Sequence, residues 1–190
     1  MSKKSKVYKG ITYDSQEEIE FSIFLDEAIQ YKLIKKYIYQ PPSYELSPKM
    51  SYKDIRGKIK TLRAHKYTAD FLIYPNELFN ELNHTLVPNK DGTYLIDIKG
   101  LFNKNGGDRI LPIHQKWLYS KYNIFVNKVV PESFFKEVNI APEELRWNKN
   151  IKKEKKLKKA FKDLDSFEDF LNKVKIKKQT GKQINLKFLG

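Results

Sequence analysis

Two short stretches hold the side chains with most chemical potential. In Tyr67-Thr68-Ala69-Asp70-Phe71-Leu72-Ile73-Tyr74 one carboxylate, Asp70, stands among apolar and aromatic neighbours. A lone carboxylate in a buried strand costs several kcal/mol unless it is paired or holds a cation. A plainer reading places Asp70 at a ragged strand start, satisfied by backbone N–H groups or by Lys66. The second stretch is Thr93-Tyr94-Leu95-Ile96-Asp97-Ile98-Lys99-Gly100. Asp97 and Lys99 are two apart, so on a strand both leave the same face while Ile96 and Ile98 enter a core. A carboxylate there can hold a hard divalent cation, and an adjacent ammonium can orient or help deprotonate a water. Taken alone, Asp-x-Lys also fits an ordinary amphipathic edge strand.

These groups need elements to position them. Asp14-Ser15 supplies a helix cap, and Ser15-x-x-Glu18 has capping-box spacing. Phe21, Phe24, Leu25 and Ala28 continue a helical pattern that fades through Ile34-Lys35-Lys36. Glu18 precedes Phe21 and Leu25 by three and seven residues, so it projects near the inward face and can reach the strand ends. It equally suits the positive helix N-terminus, and Glu17 and Glu20 are substitutes. Tyr37 to Leu46 reads as a strand interrupted by Pro41-Pro42, hence an edge strand or two short pieces. Residues 47–62 read as a polar loop or irregular hairpin arm, and 66–74 as a buried strand ending at Pro75. The turn Asn89-Lys90-Asp91-Gly92 introduces the Asp97 strand, which Gly100 stops. A mobile loop is expected over 101–110, then a short helix from Pro112 through Tyr122 and a strand over 123–130.

Bulk properties narrow the partner. The chain has 190 residues with 37 Lys+Arg against 23 Asp+Glu, a net charge of +14. Such a surplus points to a polyanion, because Lys and Arg on phosphates release condensed counterions. Cysteine is absent, which excludes disulfides, thiolate zinc sites and Cys nucleophiles. His65, His84 and His114 have no local ligand spacing, so a zinc site is not expected. No apolar run approaches the roughly 20 residues of a membrane span, and no secretory signal is visible, so a cytoplasmic protein is expected.

A helix with Glu, a strand with Asp, then a strand with Asp-x-Lys-Gly resembles the PD-(D/E)xK nuclease superfamily in order, spacing and element type. More narrowly, Gly10-Ile-Thr-Tyr-Asp-Ser-Gln-Glu-Glu, Tyr-Thr-Ala-Asp-Phe and Ile-Asp-Ile-Lys-Gly resemble a group of small phage-type endonucleases, similar in plan to transposon-end nucleases and Holliday-junction resolvases. The resemblance covers about residues 8–130; Ala69 replaces the proline of the superfamily's name. It implies an α/β fold, a restriction-endonuclease-like core with a central mixed sheet flanked by helices: helix, three strands, helix, strand. It further implies Glu18 as the helix acid, Asp70 and Asp97 as metal-binding acids, the Ile98 carbonyl completing the metal shell, and Lys99 as catalytic lysine. Gln115 and Tyr119 match a weak auxiliary motif, Q-x-x-x-Y. The cofactor implied is Mg²⁺, with Mn²⁺ able to substitute. The substrate implied is DNA, including branched or structured DNA, with RNA left open; paired cuts would suit a homodimer.

Around this core, Lys49, Lys53, Arg56, Lys58, Lys60, Arg63 and Lys66 can follow a phosphate backbone, with Tyr52 and Tyr67 available for stacking. Lys104 and Arg109, beside Gly106-Gly107, can close over substrate, and Lys116 can contact phosphate. Trp117 and Trp147 read as core or partner contacts. The organisation expected is a core over 1–140 and a small basic α+β extension over 141–190. In the extension a lysine-rich helix spans 149–162, a short helix starts at Ser166, and Val174-x-Ile176 with Ile184-x-Leu186-x-Phe188 alternate like a hairpin.

Overall fold

A computed structural model describes residues 6–82, 85–100, 107–146 and 161–180. The chain opens with a hairpin of β1 (Lys6–Tyr8) and β2 (Ile11–Tyr13), then enters α1 (Gln16–Gln30). Ser15 is the cap: its Oγ accepts the Glu18 N–H at 3.1 Å, while Glu18 Oε2 accepts the Asp14 N–H at 3.1 Å. This reciprocal bonding starts the helix where the capping-box spacing places it. The helix does not fade through Ile34-Lys36. Lys32 turns left-handed at φ 59°, and the aromatic, β-branched run beyond it forms β3 (Ile34–Tyr39).

Pro41-Pro42 separates β3 from β4 (Tyr44–Ser47), so both halves of the expectation hold: β3 is an edge strand and the run is in two pieces. Residues 47–62 supply a hairpin of β5 (Met50–Lys53) and β6 (Ile59–Leu62). The single strand expected over 66–74 is instead two, β7 (His65–Tyr67) and β8 (Phe71–Pro75). The reason is pairing: β7 goes to β4, whereas β8 joins β3, and the chain changes partner through Thr68-Ala69-Asp70. A short α2 (Glu77–Leu82) follows, and Gly92 at φ +79° closes the Asn89 turn into β9 (Tyr94–Ile98).

The next helix, α3 (Gly107–Tyr122), begins five residues before Pro112. Proline there forfeits an intrahelical hydrogen bond. Leu111 and Leu118, one heptad apart and both buried against Leu95 and Val126, hold the helix on the sheet through that position. The strand β10 (Val126–Val129) then pairs parallel to β9. The sheet order is β10-β9-β8-β3, with the other two pairings antiparallel. This is an α/β protein with a mixed central sheet.

Alternation along β8 and β9 builds two cores. Phe71, Ile73, Ile96 and Ile98 face α1, whose Phe21, Phe24, Leu25 and Ala28 pack on them. Leu72 and Leu95 face the other way, toward α3. After β10 come α4 (Pro131–Val138), α5 (Glu143–Arg146) and α6 (Phe167–Thr180). The α4 residues Phe134 and Phe135 join the α1 core, as do Phe161 and Phe167, and Ile140 bridges to Asp165. Ser166 and Asp169 form a second capping box at 3.0 and 3.1 Å. The helix it starts runs through Val174 and Ile176, correcting the hairpin expectation; an alternation of three residues was too short to outweigh that cap. Residues 149–160 of the helix expected over 149–162, Trp147, the loop residues 101–106 and Ile184 to Phe188 lie outside the described residues, while Phe161 and Lys162 are described and are not helical. Among the described residues, no helix is long and apolar enough to cross a membrane.

Phe24 has no exposed surface and meets the rings of Phe21, Phe134, Phe135 and Phe167. Phe24→Ala should therefore lose about 3–5 kcal/mol of stability in a denaturant titration. A loss under about 1 kcal/mol would mean that this aromatic junction is not the centre of the core.

Candidate active site

The antiparallel register of β8 on β9 sets Phe71 opposite Ile96 and Leu72 opposite Leu95. Asp70 immediately precedes Phe71 and Asp97 follows Ile96, so the two aspartates flank the last paired residues of the two strands, and the charge of Asp97 acts on Asp70. The Asp70 N–H donates to the Ile96 carbonyl at 3.0 Å, and its Oδ2 accepts the Ile98 N–H at 2.5 Å. The carboxylate thus occupies a ladder position that a backbone carbonyl would otherwise fill. Burial pushes the Asp70 carboxyl up to about 7. The Ile98 N–H and the Lys99 charge oppose this rise, and the charges of Asp97 and Glu18 reinforce it.

Asp97 is buried, and its Oδ2 lies 2.6 Å from Lys99 Nζ. The Lys99 N–H donates to the Val129 carbonyl at 2.8 Å, so the parallel neighbour β10 continues to hold the chain past the end of β9. The Asp-x-Lys pair is therefore an ion pair at a buried strand end.

Glu18 combines the two roles its sequence position allows. Its Oε1 accepts from the Ser15 hydroxyl at 2.9 Å, and its Oε2 accepts from the Asp14 N–H and from the Tyr39 hydroxyl at 2.8 Å. It is buried, fastened to cap and strand, and near enough to Asp70 to raise its carboxyl. Glu17 approaches the end of β9 as well: a Cβ on Gly100 would lie 3.4 Å from its Oε1.

Three neighbours carry chemistry that sequence spacing did not signal. The Tyr67 hydroxyl is buried without a hydrogen-bond partner, and burial plus the charges of Asp97 and Asp70 raise its pKa. His65 and His114, 49 residues apart, meet Nε2 to Nε2 at 2.9 Å, with His114 beside the Tyr67 ring and His65 beside Trp117. Burial lowers the His114 pKa, with His65 adding to the effect and Asp97 opposing it. Trp117, expected as a core or partner contact, is exposed. The only signal available was composition: aromatic and imidazole side chains in segments flanking the two aspartates.

The basic residues are more dispersed. Lys58, Lys60, Arg63 and Lys66 are exposed along the β5–β6 hairpin and into β7, and Lys116 is exposed on α3. Lys104 and the side chain of Arg109 lie outside the described residues. Gln115 lines a cleft of about 440 Å³ with Val87, Asn127 and Ser133, a cleft lined by neither aspartate, and Tyr119 is exposed.

The donor set fits a small hard cation. Two neighbouring carboxylates, Asp70 and Asp97, and the unpartnered Tyr67 hydroxyl beside them are all oxygen groups. Among the described residues no three acidic or histidine side chains converge as a cage. Mg²⁺ does not require one, since it keeps several of its own waters. A family model described as "Protein of unknown function (DUF1064)" matches residues 1–130. The chain belongs to the DUF1064 family. The DUF1064 segment contains α1, the whole four-stranded sheet and every acid and histidine of this site, and ends one residue after β10. No curated protein and no solved structure matches the chain.

The raised Asp70 carboxyl has a consequence for stability. Between an unfolded value of about 4 and the folded value of about 7, the folded chain keeps a proton that the unfolded chain has released. Stability without metal therefore falls as pH rises through that window. In EDTA, the melting temperature of Asp70→Asn relative to the parent should climb from about pH 4 to about pH 7 and level off above it. A difference that stays constant with pH contradicts the burial of this charge.

Proposed function

We propose that this protein is a Mg²⁺-dependent endonuclease of the PD-(D/E)xK type that hydrolyses phosphodiester bonds in DNA. The observation that carries the reading is that Asp70 and Asp97 flank the last paired residues of β8 and β9, near enough for the charge of one to act on the other, with Lys99 ion-paired to Asp97. The element order supports it. Helix α1, strands β3, β8 and β9, helix α3 and strand β10 follow the order of a restriction-endonuclease-like core.

Asp70, Asp97 and the Ile98 carbonyl would hold the cation, with Glu18 adding negative charge from the helix end. The ion, Mg²⁺ or Mn²⁺ in its place, supplies charge neutralisation at the phosphate and a lowered pKa for water. The protein's own groups do the rest. A carboxyl poised near 7 releases its proton readily when positive charge arrives. Lys99 orients the attacking water and exchanges a proton with it, a task suited to a compact, partly buried ammonium. The free donor of Tyr67 is available to a water or a phosphate oxygen beside the aspartates.

The test is incubation of the chain with linear, nicked, forked and four-way-junction DNA, with Mg²⁺ and in EDTA. Asp97→Ala should lower Mg²⁺-dependent cleavage by more than about 100-fold while DNA affinity holds or increases, since a repelling charge is removed. Cleavage at the parental rate by that variant rules the site out. Lys99→Ala should depress turnover with little change in DNA affinity, and unaltered turnover would deny the lysine its role. DNA binding with no cleavage of any substrate would instead make the chain a nucleic-acid-binding module on a nuclease-like fold.

A further inference from the structure

The hairpin of β5 and β6 is the least explained part of the molecule. All eight of its strand residues are exposed, and its principal contacts are between its own two strands. A lone two-stranded ribbon with two bare edges is marginal in water. This one nevertheless exposes Met50, Tyr52, Ile59 and Leu62, and at its tip Ile55 is 102% exposed. From Lys49 to Lys66 the segment holds seven Lys or Arg and one acid, Asp54.

That single acid is consumed by the tip itself. Asp54 Oδ1 accepts the N–H groups of Arg56 and Lys58, each at 2.9 Å. The Gly57 N–H donates to the Asp54 carbonyl at 2.9 Å, with Gly57 at φ +75°. The turn is thereby fixed before any partner arrives, presenting Ile55 and Arg56 on a preorganised end. The register sets Met50 against Leu62 and Tyr52 against Lys60 on one face, and Lys53 against Ile59 on the other. Each face thus carries both a lysine and apolar surface. Met50, Tyr52 and Leu62 share one face and Ile59 lies on the other, so the apolar pattern alone does not choose the partner; seven cations against one acid select a polyanion. Cations on both faces with an apolar tip match a slot with anionic walls and stacked base pairs at its floor.

We infer that this ribbon inserts into a groove of duplex DNA, with Ile55 as an apolar wedge against a base step and Arg56 beside it. A two-stranded ribbon fits the B-form major groove, and an apolar side chain pressed between base steps unstacks them, as wedges do from the minor-groove side. The choice of DNA rests on the nuclease reading above. The tether is short: Asp70 follows Leu62 by eight residues, a reach of about 27 Å, so the ribbon engages within about one helical turn of the cut.

The experiment measures binding in EDTA, so cleavage plays no part in it. The full chain, Ile55→Ser and Arg56→Ala are titrated against duplex DNA with 2-aminopurine at successive steps, duplex RNA of equal length, and vesicles containing phosphatidylserine. Ile55 touches no core, so its variant should melt with the parent. The parent should brighten 2-aminopurine on binding. Ile55→Ser should abolish that signal and weaken duplex DNA binding about tenfold, with duplex RNA binding nearly unchanged, because the A-form groove is too narrow to enter. Equal losses on DNA and RNA, an unchanged 2-aminopurine signal, or a loss confined to the vesicles would overturn the proposal. A chain that never cuts DNA can still pass this test, and one that cuts normally can still fail it.

Discussion

The molecule is organised around a carboxylate that has been made part of a β-ladder. Asp70 gives its N–H to Ile96 and receives the Ile98 N–H on its side chain, so the strand edge and the acid are one construction. This can only happen where the chain leaves one sheet partner and has not yet gained the next. The split between β7 and β8 creates that gap, and the aspartate fills it. Its neighbours follow from the same constraint, since a second carboxylate opposite would be untenable without Lys99 on Asp97.

Much of this was legible along the chain, because its chemistry is local. The box of Ser15 and Glu18 spans three residues, Asp97 and Lys99 two, and strand alternation determines their face. What stayed hidden depends on pairing at a distance. The break at Thr68-Ala69-Asp70 follows from β4 claiming β7, a contact across about twenty residues that no local pattern announces. The His65–His114 contact joins segments 49 residues apart. The lack of a partner for Tyr67 is a property of the space around it, not of its spacing. Pro112 and Val174 misled for a different reason: anchoring leucines and an upstream cap outweighed local signals that usually end a helix.

The two faces of the sheet divide the work. One is closed by an aromatic assembly from α1, α4 and the segment after residue 160, with the buried Ser22 hydroxyl bonded to Tyr13 and Tyr37 at its edge. The other is thinner, with Leu95, Leu111, Leu118 and Val126 beneath α3, and it gives way to Asp70, Asp97, Tyr67 and His114 as the strands end. The larger aromatic core holds the sheet from one side, and the acidic groups sit where the smaller cluster ends on the other.

Phe161 and Phe167 lie on the α1 side, yet both come after the DUF1064 segment, as do Phe134 and Phe135. The family match and the hydrophobic core therefore end at different points of the chain. A polypeptide ending at residue 130 would keep every acid of the site but bare a wall of rings along α1. It would be sticky before it was inactive. The segment after β10 therefore serves as an apolar lid on that wall, a duty any replacement segment would have to perform.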